Sequence, residues 1–154
     1  MKREIKFRAW DKAQECYLYD VQGAYDTLSG CVKYENGENA VYDEECFDEF
    51  LDNDQYVVEQ YTGLHDKNGR EIYEGDLLRV EFDDDPDSYY IAPVTWGGSD
   101  YPAFDIMSKY WPKNVSYDTN VLSAIIAGWS EEVMSVIGNI YENPEMLEEA
   151  DHDN

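Results

Sequence analysis

The stretch Gln60–Asp76, QYTGLHDKNGREIYEGD, decides the fold, because its chemistry is that of strands and turns. Within it, the run Asp66–Gly69 offers a hairpin turn, whose Asn-Gly pair can adopt the positive φ values that such turns require. Strand-forming residues flank this turn, at positions 56–61 before it and at 72–73 after it. The stretch therefore predicts an antiparallel scaffold, and it carries no catalytic motif.

Strands are predicted on both sides of this stretch. In Glu4–Trp10, apolar residues alternate with the basic residues Lys6 and Arg8, which places the two kinds on opposite faces of a strand. A second turn at Glu74–Asp76 separates the central hairpin from the strand that follows. Further strands are predicted at 16–21, 77–82, 89–96, 104–107 and 133–141, with at most a short strand at 31–34.

One acidic segment carries a helical signal. Residues 43–54 contain seven acids together with Phe47, Phe50 and Leu51, which are spaced as neighbours on one helical face. The pattern predicts a short amphipathic helix whose acids form the solvated face.

Two later segments also carry helical signals. The segment 118–129 is ambiguous, although four apolar residues in it have helical spacing and Gly128 offers an end. Asn143–Glu145 combines an N-cap residue, a proline and an early acid, which together start a short helix through Glu149. Residues 150–154 are expected to form a frayed tail.

These elements predict a mainly β fold at the margin of α+β. We expect a partly open SH3-like barrel with added N-terminal strands and short peripheral helices. A chain of 154 residues suits one domain, which we place at residues 1–143. Within it, 1–55 would hold the N-terminal strands and the acidic helix, and 56–143 the barrel-like core. Residues 144–154 would add the short C-terminal helix and tail.

The net charge of −24, from 35 acids and 11 bases, limits the choice of partners. Binding to phosphates requires cations that displace counterions, so nucleic acid is not the expected partner. Anionic membranes are disfavoured for the same reason. A compact chain of this length has a diameter of roughly 38 Å. Duplex DNA of that length carries about 22 phosphates, a charge comparable with that of the protein.

The sequence points to a cytosolic location. The N-terminal residues are charged and lack the apolar run of a secretory signal. No stretch approaches the roughly 18 apolar residues of a membrane span. Cys16, Cys31 and Cys46 form an odd set without a CxxC pair, which is typical of reduced thiols.

The acidic run EFDDDPD at 81–87 contains the candidates for a metal site. Asp83, Asp85 and Asp87 have the opening spacing of a calcium loop. The sixth position is Ser88 where such a loop has glycine, and no glutamate occupies the twelfth. A solvated acidic loop is therefore the expectation, with these three aspartates kept as metal candidates.

Other catalytic arrangements are poorly supported. The chain has two histidines, and His65 lies in the hairpin region with no cysteine near it in sequence. Glu74 and Asp76 could join Arg79 in a metal-dependent hydrolase site, but acids are abundant throughout the chain. No glycine-rich phosphate loop is present. We expect no catalytic residue and no cofactor.

Three segments, taken together, carry a resemblance. They are REIKFRAWD (Arg3–Asp11), the central stretch Gln60–Asp76, and VIGNIYENPEML (Val136–Leu147). In this order they resemble the YopX family, small phage and prophage proteins of largely uncharacterised role. His65 stands where that family is expected to have a lysine. The resemblance implies a phage-encoded intracellular protein with a β-rich fold, and it supplies no activity and no catalytic residues.

Charge and resemblance together predict a non-enzymatic acidic module that binds a basic host or phage protein, with nucleic-acid mimicry as one form of such binding. The first alternative is a homo-oligomeric assembly protein, in which Lys6 and Arg8 meet acidic loops of another copy and Trp111 adds an apolar contact. The second alternative is a small-barrel nucleic-acid-binding protein, suggested by the strand and turn around Glu74 and Asp76 and by analogy of fold alone. A metal-dependent hydrolase is the remaining alternative.

Overall fold

The computed structural model describes residues 4–24, 32–40, 47–83, 85–97, 102–117, 120–128 and 132–147. Within them, short strands predominate over short helices, so the predicted mainly β fold is confirmed. The helices are α1 (Phe47–Asp52) and α2 (Val121–Ile126), with 3₁₀ turns at Val21–Gly23 and Ser108–Tyr110. The strands are β1 (Phe7–Asp11), β2 (Cys16–Tyr19), β3 (Lys33–Tyr34), β4 (Tyr56–His65), β5 (Glu71–Tyr73), β6 (Asp76–Glu81), β7 (Tyr89–Pro93), β8 (Thr95–Trp96), β9 (Phe104–Asp105) and β10 (Val133–Asn139).

The strands form three antiparallel sheets, with the orders β3-β2-β1-β4-β5, β10-β6-β7 and β8-β9. The sheets do not confirm a closed barrel, and the SH3-like barrel stays a prediction. None of the described helices is long and apolar enough to cross a membrane.

The chain divides into two compact units, Met1–Gly63 and Leu64–Asn154. The division falls inside β4, whereas the sequence suggested a division between residues 55 and 56. Of the C-terminal helix predicted from Asn143 to Glu149, residues 145–147 are helical, and 148–154 lie outside the described residues. Within the described residues Cys16 is half-buried and forms no disulfide, and Cys31 and Cys46 lie outside the described residues.

The first unit is built on β1, which pairs with β2 on one side and with β4 on the other. Because side chains alternate along a strand, Ala9 shares a face with its partners Leu18 and Val58. Phe50 of α1 is fully buried in the same core, and its ring centroid lies 4.9 Å from that of Tyr56. This face is therefore a small apolar core under one helix.

The predicted apolar face of α1 is wrong at one position. Phe50 is fully buried and Phe47 is half-buried against the core, but Leu51 is 57% exposed. A helix of six residues has less than two turns, so it presents a narrow stripe to the core and leaves the next position outside.

The second unit packs α2 and the sheet β10-β6-β7 around one apolar core. The helix settles the ambiguity of 118–129: its side chains Val121, Leu122 and Ile125 are buried, although Ile126 is 43% exposed. Asn120 caps the helix by accepting from the Ser123 N–H. Gly128 takes a φ of 75°, consistent with a glycine just beyond the helix. The core residues of this unit are Ile72, Leu78, Val80, Tyr90, Ala92, Val94, Ile106, Val121, Leu122, Ile125, Met134 and Val136.

The predicted strand 89–96 is divided between two sheets. β7 pairs with β6, whereas β8 pairs with β9. Between them, the Val94 N–H still donates to the Asp76 carbonyl at 2.9 Å. The continuous apolar run gave no sign of this change of partner.

The central hairpin uses one positive φ angle. Gly69 has a φ of 80°, and Asn68 is not among the described residues with positive φ. The Asp66 N–H donates to the Arg70 carbonyl at 2.9 Å, and the Gly69 N–H donates to the Asp66 carbonyl at 3.0 Å. This arrangement matches a three-residue hairpin loop closed by one left-handed glycine.

Candidate functional site

The two basic residues predicted to contact a partner lie in the first unit, and Arg8 is buried. Its side chain is 3% exposed, and its Nε donates to Glu59 Oε1 at 3.0 Å. The Tyr17 hydroxyl donates to the same oxygen at 2.8 Å, and the guanidinium carbon lies 4.2 Å from the centroid of the Tyr17 ring. The charge of Arg8 is therefore neutralised inside the unit, where a partner does not reach it.

Lys6 is half-buried and has contacts of its own. Its Nζ lies 3.2 Å from Glu4 Oε2 and 5.0 Å from the centroid of the Tyr61 ring. Lys6 and Arg8 thus differ in surroundings, although the alternating pattern placed them on one face. An exposed basic stripe is not present at these two positions.

The candidate acids Glu74 and Asp76 belong to a structural turn. Asp76 is 3% exposed, and its Oδ2 accepts a hydrogen bond from the Tyr73 N–H at 2.8 Å. Gly75, between them, has a φ of 86°. Glu74 is half-buried. The carboxylate of Asp76 therefore holds the turn between β5 and β6.

The acidic loop between β6 and β7 is solvated. Asp83, Asp85 and Asp87 are all exposed. The Asp85 carboxylate accepts from the Asp87 N–H at 2.9 Å and from the Ser88 hydroxyl at 3.1 Å, so it closes its own loop. Across the described residues, no group of three or more acidic, histidine or cysteine side chains is arranged to hold a metal ion.

Trp111, the remaining candidate, belongs to a hydrogen-bonded aromatic cluster in the second unit. Its ring packs edge-on against Tyr117, with centroids 4.8 Å apart. The hydroxyls of Tyr117 and Tyr90 lie 2.6 Å apart, and the Tyr117 hydroxyl donates to Glu132 Oε2. We call Tyr90, Trp111, Tyr117 and Glu132 the aromatic–carboxylate cluster.

The direction of the hydrogen bonds in this cluster follows from proton counting. A phenol has one proton to donate, and that of Tyr117 is donated to Glu132. The Tyr90 hydroxyl must then donate to Tyr117, which leaves Glu132 as the acceptor at the end of the chain. The cluster is thus a chain of hydrogen bonds from the Tyr90 hydroxyl through the Tyr117 hydroxyl to the half-buried Glu132 carboxylate.

Burial keeps both phenols protonated. Desolvation is the largest cause that raises the pKa of Tyr90, and it also raises the pKa of Tyr117 well above the ordinary phenol value. The hydrogen bond to Glu132 and the negative charge of that carboxylate raise the pKa of Tyr117 further. These tyrosines are suited to donating hydrogen bonds and unsuited to acting as bases near neutral pH.

The Trp111 side chain carries a buried donor without an acceptor. Among the described residues its Nε1 has no hydrogen-bond acceptor, although the atom is removed from solvent. A buried N–H left unsatisfied costs about 1–3 kcal/mol. The part of the cluster that a ligand could reach is made of the half-buried rings of Trp111 and Tyr117 and the half-buried Glu132 carboxylate, groups that could hold a cation.

The sequence named Trp111 but missed its three partners. Tyr90, Tyr117 and Glu132 come from separate segments, and no spacing rule links them. The abundance of tyrosine was the one available signal, since a tyrosine ring suits a half-buried position with its hydroxyl on a polar partner.

Each of the three segments that carry the resemblance contains a buried polar side chain that stabilises a turn. In the first segment, Asp11 Oδ1 accepts from the N–H groups of Ala13 and Gln14 at 2.9 and 3.2 Å. In the central stretch, Asp66 and Asp76 accept backbone N–H donors. In the last segment, Asn139 Oδ1 accepts from the N–H groups of Tyr141 and Glu142. The segments that mark the protein are therefore scaffold, and all four residues of the aromatic–carboxylate cluster lie outside them.

These observations define a small, mainly β protein whose most recognisable residues stabilise turns. A sequence model described as YopX protein matches residues 6–148, and the chain belongs to the YopX family. A comparison with curated protein sequences gave no match.

Two solved structures resemble the fold. The crystal structure of protein EF1440 from Enterococcus faecalis is 26% identical, with a TM-score of 0.57, over 95% of this chain and 99% of that one. The crystal structure of yopX from Bacillus subtilis is 18% identical, with a TM-score of 0.43, over 92% of this chain and 97% of that one.

Proposed function

We propose that this YopX-family chain is a non-enzymatic acidic module that binds a basic host or phage protein in the cytosol. The charge distribution is the observation that carries the proposal. Among the described residues the buried acids are few, and the other described acids are half-buried or exposed. Those buried acids are Asp11, Glu59, Asp66, Asp76 and Asp105.

Several positive charges are already neutralised within the chain. Arg8 is paired with Glu59, Lys6 with Glu4, and Arg79 with Glu81. The net charge of −24 is therefore carried by a surface on which some of the 11 basic residues are already paired with acids of the same chain. Such a surface attracts cationic partners at long range, and salt weakens the attraction.

The aromatic–carboxylate cluster gives this attraction a specific anchor. A lysine or arginine of the partner would pair with Glu132 and contact the faces of the adjacent rings. Arginine is the better fit of the two, because its planar group stacks on aromatic rings as well as pairing with a carboxylate.

Titration calorimetry with defined peptides tests the proposal. Deca-arginine should bind, deca-glutamate should not, and a rise in salt from about 50 to about 500 mM should abolish most of the binding. Binding that is unchanged at the higher salt would contradict a charge-driven partner.

A matched pair of variants tests the anchor. Glu132→Gln and Glu145→Gln each remove one negative charge, but Glu145 is exposed. Binding should weaken several-fold more in the Glu132 variant. Equal losses of affinity in the two variants would show that Glu132 contributes only through the overall negative charge of the surface.

A further inference from the structure

The sheet β10-β6-β7 has two outer edges, and the protein treats them differently. On the β10 edge, the Val136 N–H donates to Asp66 Oδ2 at 2.9 Å, and the Lys67 N–H donates to the Met134 carbonyl at 3.3 Å. On the β7 edge, none of the described strands pairs with β7 beyond its partner β6. Exposed edges are sites at which another strand can add.

The hydrogen-bond pattern identifies the backbone groups that face outward on β7. The Phe82 N–H donates to the Ser88 carbonyl, and at the other end the Val94 N–H donates to the Asp76 carbonyl. Directly bonded pairs recur at every second residue of an antiparallel ladder. Tyr90 and Ala92 therefore bond to β6.

The alternate residues Tyr89, Ile91 and Pro93 direct their backbone groups away from β6. Tyr89 is exposed, Ile91 is half-buried and Pro93 is buried, so the part of the edge open to a further strand is the N–H and carbonyl groups of Tyr89 and Ile91. Proline has no N–H to pair, and it is tolerated at such an edge. We call these outward groups the β7 edge.

The side chains next to the β7 edge form a polar and aromatic surface. Tyr89 is 47% exposed, and the guanidinium carbon of Arg79 lies 4.1 Å from the centroid of its ring. Arg79 is also paired with Glu81 and donates to the Pro86 carbonyl at 2.7 Å. The local positive charge is therefore held within the protein.

The charge at the start of β7 is strongly negative. The exposed Asp83, Asp85 and Asp87 lie in the loop that enters the strand. A segment added at this edge meets these carboxylates at one end. The charge complementarity selects an occupant that carries lysine or arginine.

We propose that the β7 edge accepts an extended lysine- or arginine-bearing segment of a partner protein as an additional β-strand. The inference rests on the proposed function, because it supplies the docking geometry for a basic partner. Main-chain hydrogen bonds would provide the register, and the acidic loop would provide the preference for charge. A second copy of this chain is a poorer occupant, since each copy carries a net charge of −24.

The experiment compares two basic peptides on the unmodified protein. A seven-residue alternating lysine–valine peptide can add as a strand, whereas the same peptide with every internal backbone nitrogen methylated, of equal length and charge, cannot, since it has no internal backbone N–H to donate. The lysine–valine peptide should bind about tenfold more tightly. In amide hydrogen exchange it should protect the Tyr89 and Ile91 N–H groups.

One protein variant removes an outward donor directly. Ile91→Pro deletes an N–H that the β6 ladder does not use, and Ile91→Val is the control that keeps it. Affinity for the lysine–valine peptide should fall about tenfold in the proline variant and stay unchanged in the valine variant. Should the proline variant not fold, the two-peptide comparison decides alone.

The failures are distinguishable. Equal affinity for both peptides, without protection of the Tyr89 and Ile91 amides, overturns the β7 edge and leaves the charge-driven function standing. If neither peptide binds at about 50 mM salt, both the β7 edge and the charge-driven function are overturned. If these amides are already protected in the protein alone and sedimentation shows a dimer, the occupant of the β7 edge is a second copy of this chain and not a basic partner.

Discussion

The Asp66 carboxylate and the Val136 N–H are 70 positions apart in the sequence and are joined by a hydrogen bond of 2.9 Å. The other oxygen of the same carboxylate accepts from the N–H groups of Asn68 and Arg70, at 2.9 and 2.8 Å. One side chain thus closes the central hairpin and satisfies the outer edge of β10. This is a structural role for the most recognisable stretch of the chain.

Asp66→Asn should destabilise the protein by about 1–3 kcal/mol at neutral pH. The amide oxygen can still accept hydrogen bonds, but the amide nitrogen only donates, so the three backbone N–H groups cannot all keep an acceptor. The exposed Asp87→Asn is the matched control and should change stability by less than about 0.5 kcal/mol. Urea denaturation measures both. Equal stability of the two variants would show that the three hydrogen bonds contribute little.

The same carboxylate predicts a pH dependence. Burial by itself raises the pKa of Asp66, but the backbone donors and the charge of Arg70 outweigh it, so the pKa lies below its usual value. A lowered pKa in the folded state stabilises the fold above the unfolded value of about 3.9, and the gain is lost as the pH falls through the folded value. The stability difference between wild type and Asp66→Asn should therefore narrow in acid. A constant difference down to about pH 2 would contradict this.

Much of the fold follows from local pattern. Alternation located β1, turn residues located the hairpin, and helical spacing located α1, because each signal lies within a few neighbouring residues, whereas the segment that forms α2 was ambiguous. The burial of Arg8 could not be predicted, since its environment depends on Glu59 and Tyr17 from two other strands. The partners of Trp111 were missed for the same reason.

The Arg8–Glu59 pair predicts a large loss of stability when one charge is removed. Glu59→Gln leaves the guanidinium buried without its counter-charge, which costs about 3–5 kcal/mol in comparable buried pairs. The half-buried Lys6→Met is the control and should be nearly neutral. Thermal denaturation measures the loss.

The double variant Arg8→Met with Glu59→Leu removes both charges and should recover part of that stability, because no buried charge remains unpaired, whereas the buried Tyr17 hydroxyl loses its Glu59 acceptor. A double variant as unstable as Glu59→Gln would indicate that packing around Tyr17, rather than the uncompensated charge, is responsible.

The raised pKa values of Tyr90 and Tyr117 predict their behaviour in alkaline solution. Absorbance titration at ultraviolet wavelengths should show exposed tyrosines ionising near pH 10, whereas these two ionise only at higher pH. Tyr117→Phe should leave the amplitude near pH 10 unchanged, because the phenol that it removes ionises only at higher pH.

The raised pKa of Tyr117 makes the stability of the fold depend on pH in the opposite direction to Asp66. A raised phenol pKa stabilises the fold below about pH 10, and the contribution is lost as the pH rises through the folded value. Wild type should therefore lose stability in strong alkali more steeply than Tyr117→Phe. Parallel curves would show that Tyr117 has no special environment.

Gly138 in β10 is required by a neighbouring side chain. It lies where the register of β10 against β6 shifts, and a Cβ built on it would lie 2.7 Å from Asn143 Cγ. Gly138→Ala should destabilise by about 1–3 kcal/mol, because Asn143 must move and release its hydrogen bond from the Asn139 N–H. Ser135→Ala in the same strand is the control and should change stability by less than about 0.5 kcal/mol.

A double-mutant cycle separates the clash from the backbone effect of losing a glycine. Asn143→Ala alone should cost about 1 kcal/mol for the hydrogen bond that it loses. Once that side chain is shortened, the nearest remaining atom of residue 143 is its Cβ, 3.1 Å from the added methyl, so the double variant Gly138→Ala with Asn143→Ala should lose less stability than the sum of the two single losses. If the two losses simply add, the two residues are independent, and the contact with Asn143 is not the cause of the loss in Gly138→Ala.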